Sequence, residues 1–212
     1  MLPNAALSST VEYAPFLPPR TSVRFSSAAG AQDIHYGGVA LGDPTQGIQY
    51  QLWTAYISGG DIWLSAPNTP AYKFLPGVGA TWVALAFDQN AREFLAYSTE
   101  SENAYYYWYD STIPGYTTTA LPGSVPRVFA ALDDARQQES STADIILAYE
   151  RTGELYFRAQ RDRYGVEYAL GAFAATLVQV GMNEVFRFQF AFQNVQGVHS
   201  LPPAEFNPGV NQ

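Results

Sequence analysis

The 212-residue chain has no cysteine, which excludes a disulfide scaffold and any thiolate metal site, although it leaves the compartment open. Histidine is almost missing as well. His35 and His199 are the two copies, too far apart in sequence to stand at metal-ligand spacing, so the usual general base at neutral pH is scarce. Charge is thin: 14% of residues carry it, and 11 Lys plus Arg against 19 Asp plus Glu leave a net −8. Such a balance repels phosphate backbones, and no nucleic acid is expected as a partner. No apolar run approaches the roughly 18 residues of a membrane span. The N-terminal "MLPNAALSSTVEYAPFLPP" lacks a charged region followed by an uninterrupted apolar one, so a soluble, unprocessed chain is expected. Phosphate-loop, nucleophile-elbow and paired-His motifs are missing too. "GVGATW" at 77–82 is Gly-rich but leads into a strand, without the helix N-terminus that would hold phosphate. These gaps together predict no enzyme, no cofactor and no bound metal.

What the chain does have is rings and turns. Fifteen Tyr, 13 Phe and 4 Trp stand beside 17 Gly and 14 Pro, the composition of aromatic strands broken by tight turns, and hence of an all-β fold. A chain of this size buries one full core. In "ELYFRAQRD" side chains alternate, with Leu155, Phe157 and Ala159 on one face and Tyr156, Arg158 and Gln160 on the other, as in a half-buried strand. "DIILAYE" is apolar on both faces, which predicts a central strand covered on both sides. Between them Gly153 supplies a positive φ for a short hairpin.

This phrase is written more than once. Leu95-Ala96-Tyr97 answers Leu147-Ala148-Tyr149, and Thr54-Ala55-Tyr56 takes the same place in a weaker third copy with Gly59-Gly60 as its turn. Upstream, "WVALAFDQNAR" and "RVFAALDDARQQ" match as lead-in strands that end at Asp88 and Asp133. The spacing predicts about three to four units of roughly 40 to 50 residues, each a small antiparallel sheet, stacked in a propeller-like array that is closed or partial. Repetition has a mechanical reason, because one small sheet cannot bury both of its faces whereas stacked sheets can. "TSVRFSSAA" and "ATLVQVGMNEVFRFQFAFQNV" are candidate extra strands. The repeat domain is expected over 21–195, flanked by Pro- and Asn-rich extended arms at 1–20 and 196–212 in which Phe16 and Phe206 would anchor on a neighbour.

Two carboxylates are all that a glycosidase needs, and Asp88, Asp110, Asp133, Asp134 and Asp162 are candidates. The matching places of Asp88 and Asp133 point instead to turn capping. "RAQRDR" clusters Arg158, Arg161 and Arg163 near Asp162 and Glu167, read as local ion pairs. The run "YYYWYD" at 105–110 is the best candidate contact surface: with Tyr106 and Trp108 turned inward, Tyr105, Tyr107 and Tyr109 face outward. Trp108 counts with these three as a possible partner or glycan contact. Sugars stack on such rings; so do neighbouring subunits and neighbouring sheets.

"LGDPTQGIQYQLWT", "LAFDQN", "YYYWYDSTIPGY", "DIILAYERTGELYFRAQRDRYGVEY" and "VGMNEVFRFQF", taken in order over roughly 37–192, resemble a family of virion structural proteins of tailed bacteriophages, especially short-tailed ones. The resemblance carries no catalytic motif. It implies a non-enzymatic part of the tail apparatus (nozzle, hub, collar or fibre attachment), made in the bacterial cytoplasm and built into the virion. Copies of itself in a ring and other tail or portal-vertex proteins would be its partners. The alternative expectation is a carbohydrate-binding, receptor-recognising module of the tail that contacts a host surface glycan.

Overall fold

A computed structural model describes residues 32–201 apart from 44–46, 67–69, 89, 135–142, 173, 175 and 183–187. The first sheet comprises β1 (Gln32–Asp43), β2 (Gly47–Ser58), β3 (Asp61–Ser65) and β4 (Tyr72–Leu75). The second holds β5 (Ala80–Phe87), β6 (Glu93–Thr99), β7 (Ala104–Asp110) and β8 (Gly115–Ala120). The third has β9 (Val128–Asp134), β10 (Ala143–Arg151), β11 (Glu154–Ala159) and β12 (Tyr168–Ala172), with a 3₁₀ turn at Gln160–Asp162. In the fourth are β13 (Thr176–Met182), β14 (Phe188–Asn194) and β15 (Gly197–Leu201). Every sheet is antiparallel and ordered as the chain runs. First strands meet first strands, β1 against β5, β5 against β9 and β9 against β13. The fold is therefore all-β, a propeller-like succession of small sheets.

Alternation along the repeated phrase explains the stacking. Ala55 and Ile57 of β2 join Val83, Leu85, Leu95 and Tyr97 in a core between the first and second sheets. Phe94 and Ala96, on the other face of β6, join Ile145, Leu147 and Tyr149 between the second and third. Ile146 and Ala148, on the other face of β10, join Phe188, Phe190 and Phe192 between the third and fourth. β10 is thus buried on both faces and central in its sheet, as its two-sided apolar pattern predicts. The Leu-Ala-Tyr phrase recurs because each repeat sends its Ala to the following sheet and its Leu and Tyr to the preceding one.

Both hairpin signals hold. Gly59 and Gly60 take φ of 62° and 78°, and Thr152 and Gly153 take 55° and 79°, the paired left-handed geometry of a two-residue turn. Gly60 has a second constraint: a Cβ there would stand 3.2 Å from the Cα of Gly79, and the Ala80 N–H donates to the Gly60 carbonyl at 3.0 Å, tying the first sheet to the start of the second. Gly60→Ala is expected to cost roughly 1–2 kcal/mol, because it adds a close contact to the strained φ. Gly59→Ala, with nothing within 4 Å, should cost less; urea midpoints of the two variants check the order.

Several expectations change. β1 pairs along β2 from Gln32 to Asp43, a strand that the sequence reading does not include. The repeat also runs past residue 195: β15, at Gly197–Leu201, pairs with β14, and His199 lies on it against Phe192 rather than in an arm. The rest of that segment, from 202, the whole of 1–20 with Phe16, Phe206, and the candidate strand at 21–29 lie outside the described residues.

Candidate functional site

Each of the first three sheets carries a cross-strand aromatic pair at the tyrosine of its Leu-Ala-Tyr or, in the first, Thr-Ala-Tyr phrase. Register places Tyr56 opposite Trp63, Tyr97 opposite Tyr105 and Tyr149 opposite Tyr156. All three pairs stack, with centroids 6.3, 5.3 and 5.8 Å apart. Such pairs stabilise antiparallel strands directly. Two of them face a preceding sheet within the described chain, and the two environments differ in one decisive way.

Between the first and second sheets the pair looks into a cleft of about 800 Å³, within the range of small-molecule sites. Gly59, Gly60, Val78 and Gly79 form one wall; Thr99, Glu100, Ser101 and Asn103 of the β6–β7 turn form the other; Ala80, Thr81, Tyr97 and Tyr105 complete it. The glycines bring bare backbone to the wall. Thr81 Oγ1 donates to the Ser98 carbonyl and Thr99 Oγ1 to that of Asn103, each at 3.3 Å, which leaves both hydroxyl oxygens able to accept. Burial, and then the neighbouring Tyr105, push the Tyr97 hydroxyl up, so it stays a neutral donor. Among the described lining residues Glu100 is the one carboxylate.

The corresponding space between the second and third sheets is filled. Two residues beyond the tyrosine, where the second sheet has Thr99, the third has Arg151. Its guanidinium lies 4.3 Å over the Tyr156 ring, its Nη1 donates to the Pro122 carbonyl at 3.2 Å, and its stem passes so close to Gly123 that a Cβ there would meet Cδ at 2.9 Å. Glu167 fixes the group from the side, accepting from Arg151 Nη2 at 2.7 Å and from Arg158 Nη2 at 3.2 Å, while the Tyr149 hydroxyl donates to the same carboxylate. Burial works against the charge of Glu167, but hydrogen bonds from Arg151, Tyr149 and Arg158 outweigh it and hold its pKa at about 2. This ion network holds Arg151 in place within the third sheet and, through Pro122, ties it to the segment that leaves the second.

The predicted contact residues separate accordingly. Tyr105 lines the cleft. Tyr107 and Tyr109 are half-buried on the same face of β7, Tyr107 packed edge-on against Phe74 of the first sheet at 5.2 Å. Tyr107 thus faces the first sheet, while Tyr109 meets Tyr116 of its own sheet edge-on and carries the Arg92 guanidinium over its ring. Trp108 turns the other way: it is 8% exposed, its Nε1 donates to Thr119 Oγ1 at 3.4 Å, and Tyr164 packs edge-on to it. That burial removes Trp108 from the contact surface.

One pair of described aspartates comes together: Asp133 and Asp144 are buried opposite each other on β9 and β10, where burial, and after it the Asp133 charge, raises the Asp144 pKa against the pull of Arg161. Neither is among the described residues that line the cleft. Asp88 caps its turn, accepting from the Asn90 and Arg92 N–H groups at 2.8 and 2.9 Å. Asp133 stands on β9, one residue short of the strand end, and accepts the Phe188 N–H at 2.9 Å, bridging to the fourth sheet; the turn that follows it lies outside the described residues. Asp110 accepts from Thr112 and from Arg163 of the third sheet, Asp162 accepts from the Tyr168 hydroxyl, and Arg161 pairs with Asp144. The arginine cluster is thus an ion-pair set, partly reaching across sheets. Sequence reading missed Glu100, Ser101 and Asn103; comparing the aligned Thr99 and Arg151 is the signal that would have marked the cleft.

No protein-family model and no curated protein matches the chain. Among solved structures, a mutant Aleuria aurantia lectin in complex with Fucα1-6GlcNAc is similar at 11% identity and a TM-score of 0.44, over 88% of this chain and 67% of that one. The same lectin with α-methyl-L-fucoside gives 11%, 0.45, 88% and 66%. A mercury derivative of the fucose-specific lectin from Aleuria aurantia gives 12%, 0.42, 83% and 63%, so the chain spans about two thirds of the length of these lectins.

Proposed function

We propose that the chain is a non-catalytic carbohydrate-binding module whose ligand enters the cleft between the first two sheets. The observation that carries this reading is the composition of that cleft: an aromatic pair, Tyr97 and Tyr105, beside hydroxyl, amide and single-carboxylate groups and bare glycine backbone. A sugar has the complementary surface, a C–H face that stacks on a ring and hydroxyls that need both donors and acceptors. Glycan-array binding by the purified chain, followed by titration of the best ligand, tests it. Tyr105→Ala is expected to weaken binding by about tenfold or more with the fold retained by circular dichroism, whereas Trp108→Phe should leave affinity unchanged. Equal affinity in Tyr105→Ala would remove the cleft from the reading.

The setting we infer for this module is the tail of a bacteriophage virion, where it would recognise a host surface glycan and join other tail proteins. Support comes from the ordered set of phrases that resembles tail-associated structural proteins. An inter-sheet tie such as Arg163–Asp110 suits a rigid part of a particle. Mass spectrometry of purified virions decides whether the polypeptide is a particle component.

A further inference from the structure

The run "YYYWYD" contributes more than Tyr105. At the opposite end of the same strands, away from the cleft, Tyr107 stacks on Tyr116 with centroids 4.7 Å apart. Tyr109 meets Tyr116 edge-on at 5.4 Å, Phe74 stands edge-on to Tyr107, and Tyr72 adjoins Phe74. Two of these rings are open, Tyr72 at 41% and Tyr116 at 38% exposure. Glu93 stands among them. Its carboxylate accepts from the Tyr116 hydroxyl at 2.7 Å, and its charge, second to burial, raises the hydroxyl pKa values of Tyr72 and Tyr107.

The chain itself shows what such rings attract. The Arg92 guanidinium lies 3.9 Å from the centre of the Tyr109 ring, and Lys73 lies over Trp63 at 5.4 Å. Among the described residues no cation lies over Tyr72, Tyr107 or Tyr116, and none pairs with Glu93. An electron-rich cluster with an unneutralised carboxylate, on a chain of net charge −8, is complementary to a cation. Its kind follows from the acceptors on offer. A primary ammonium has three N–H donors to satisfy, which ring faces do not do well. A methylated cation makes no such demand and loses little hydration on ring faces.

We propose that Tyr72, Tyr107 and Tyr116, with Glu93 beside them, form a binding site for a quaternary or N-methylated ammonium group, separate from the inter-sheet cleft. The site does not depend on the glycan reading. The test uses the full chain, titrated by NMR or calorimetry with choline, with its neutral isostere 3,3-dimethylbutan-1-ol, and with methylammonium. Choline is expected to bind saturably, with the alcohol and methylammonium at least about tenfold weaker. Glu93→Gln should lower choline affinity about fivefold or more, Tyr116→Ala should abolish binding, and Tyr116→Phe, which keeps the ring, should retain it. Equal binding of the alcohol would make this a merely apolar patch and overturn the proposal. So would methylammonium matching choline, unchanged choline affinity in Glu93→Gln, or no saturable binding of choline.

Discussion

Leu147→Ala is expected to destabilise the fold by about 3–5 kcal/mol, a large part of the roughly 5–15 kcal/mol that separates a typical domain from its unfolded chain. Leu147 is 0% exposed and belongs to the core between the second and third sheets. It lies on β10, which is hydrogen-bonded to β9 on one side and β11 on the other. Truncation therefore opens a cavity whose walls are strands fixed by two ladders and cannot collapse inward cheaply. Urea denaturation compared with Val195→Ala, at a position 99% exposed, gives the measurement. The control should change stability by less than about 0.5 kcal/mol. A loss below about 1 kcal/mol in Leu147→Ala would mean that the stacked-sheet core is not what holds the chain together.

Acid should strip away a second contribution. The folded Glu167 carboxyl titrates at about 2, below its ordinary 4.5, so between those values the unfolded chain holds more protons than the folded one. The stabilisation is whole above pH 4.5, shrinks as pH falls and is gone near pH 2. Glu167→Gln keeps the shape but gives up the charge facing Arg151 and Arg158. At pH 7 the variant is expected to be about 2 kcal/mol less stable, after allowance for solvent screening of a partly exposed pair. The two proteins should converge toward pH 2. Parallel stability curves from pH 7 to pH 2 would show that the carboxylate has no stabilising ionic role.

The repeat was legible because periodicity in a strand is a statement about faces. Leu95-Ala96-Tyr97 and Leu147-Ala148-Tyr149 distribute their side chains alternately to two sheets, and no other arrangement satisfies both sides of so apolar a strand. β1 was less legible, since Gly37 and Gly38 interrupt its pattern and its pairing with β2 comes from backbone bonds that any side chain allows. The alternation of Tyr105 to Tyr109 could also be read, but not which face would be covered, because that depends on how the first sheet lies on the second. The cleft was hidden for the same reason. Gly60 and Gly79 on one side and Thr99 to Asn103 on the other meet only after the sheets stack, and nothing local in either segment announces the other.

One position per repeat, two residues after the tyrosine, reads Ser58, Thr99 and Arg151 along the chain. A small residue leaves a vacancy beside the ring pair and a long cation fills it. Under the proposed carbohydrate-binding reading, the number of ligands gripped per molecule would therefore change by single substitutions that leave the hydrophobic interior untouched. On a multi-copy particle, where avidity grows steeply with the count of simultaneous contacts, that one position would adjust adhesion.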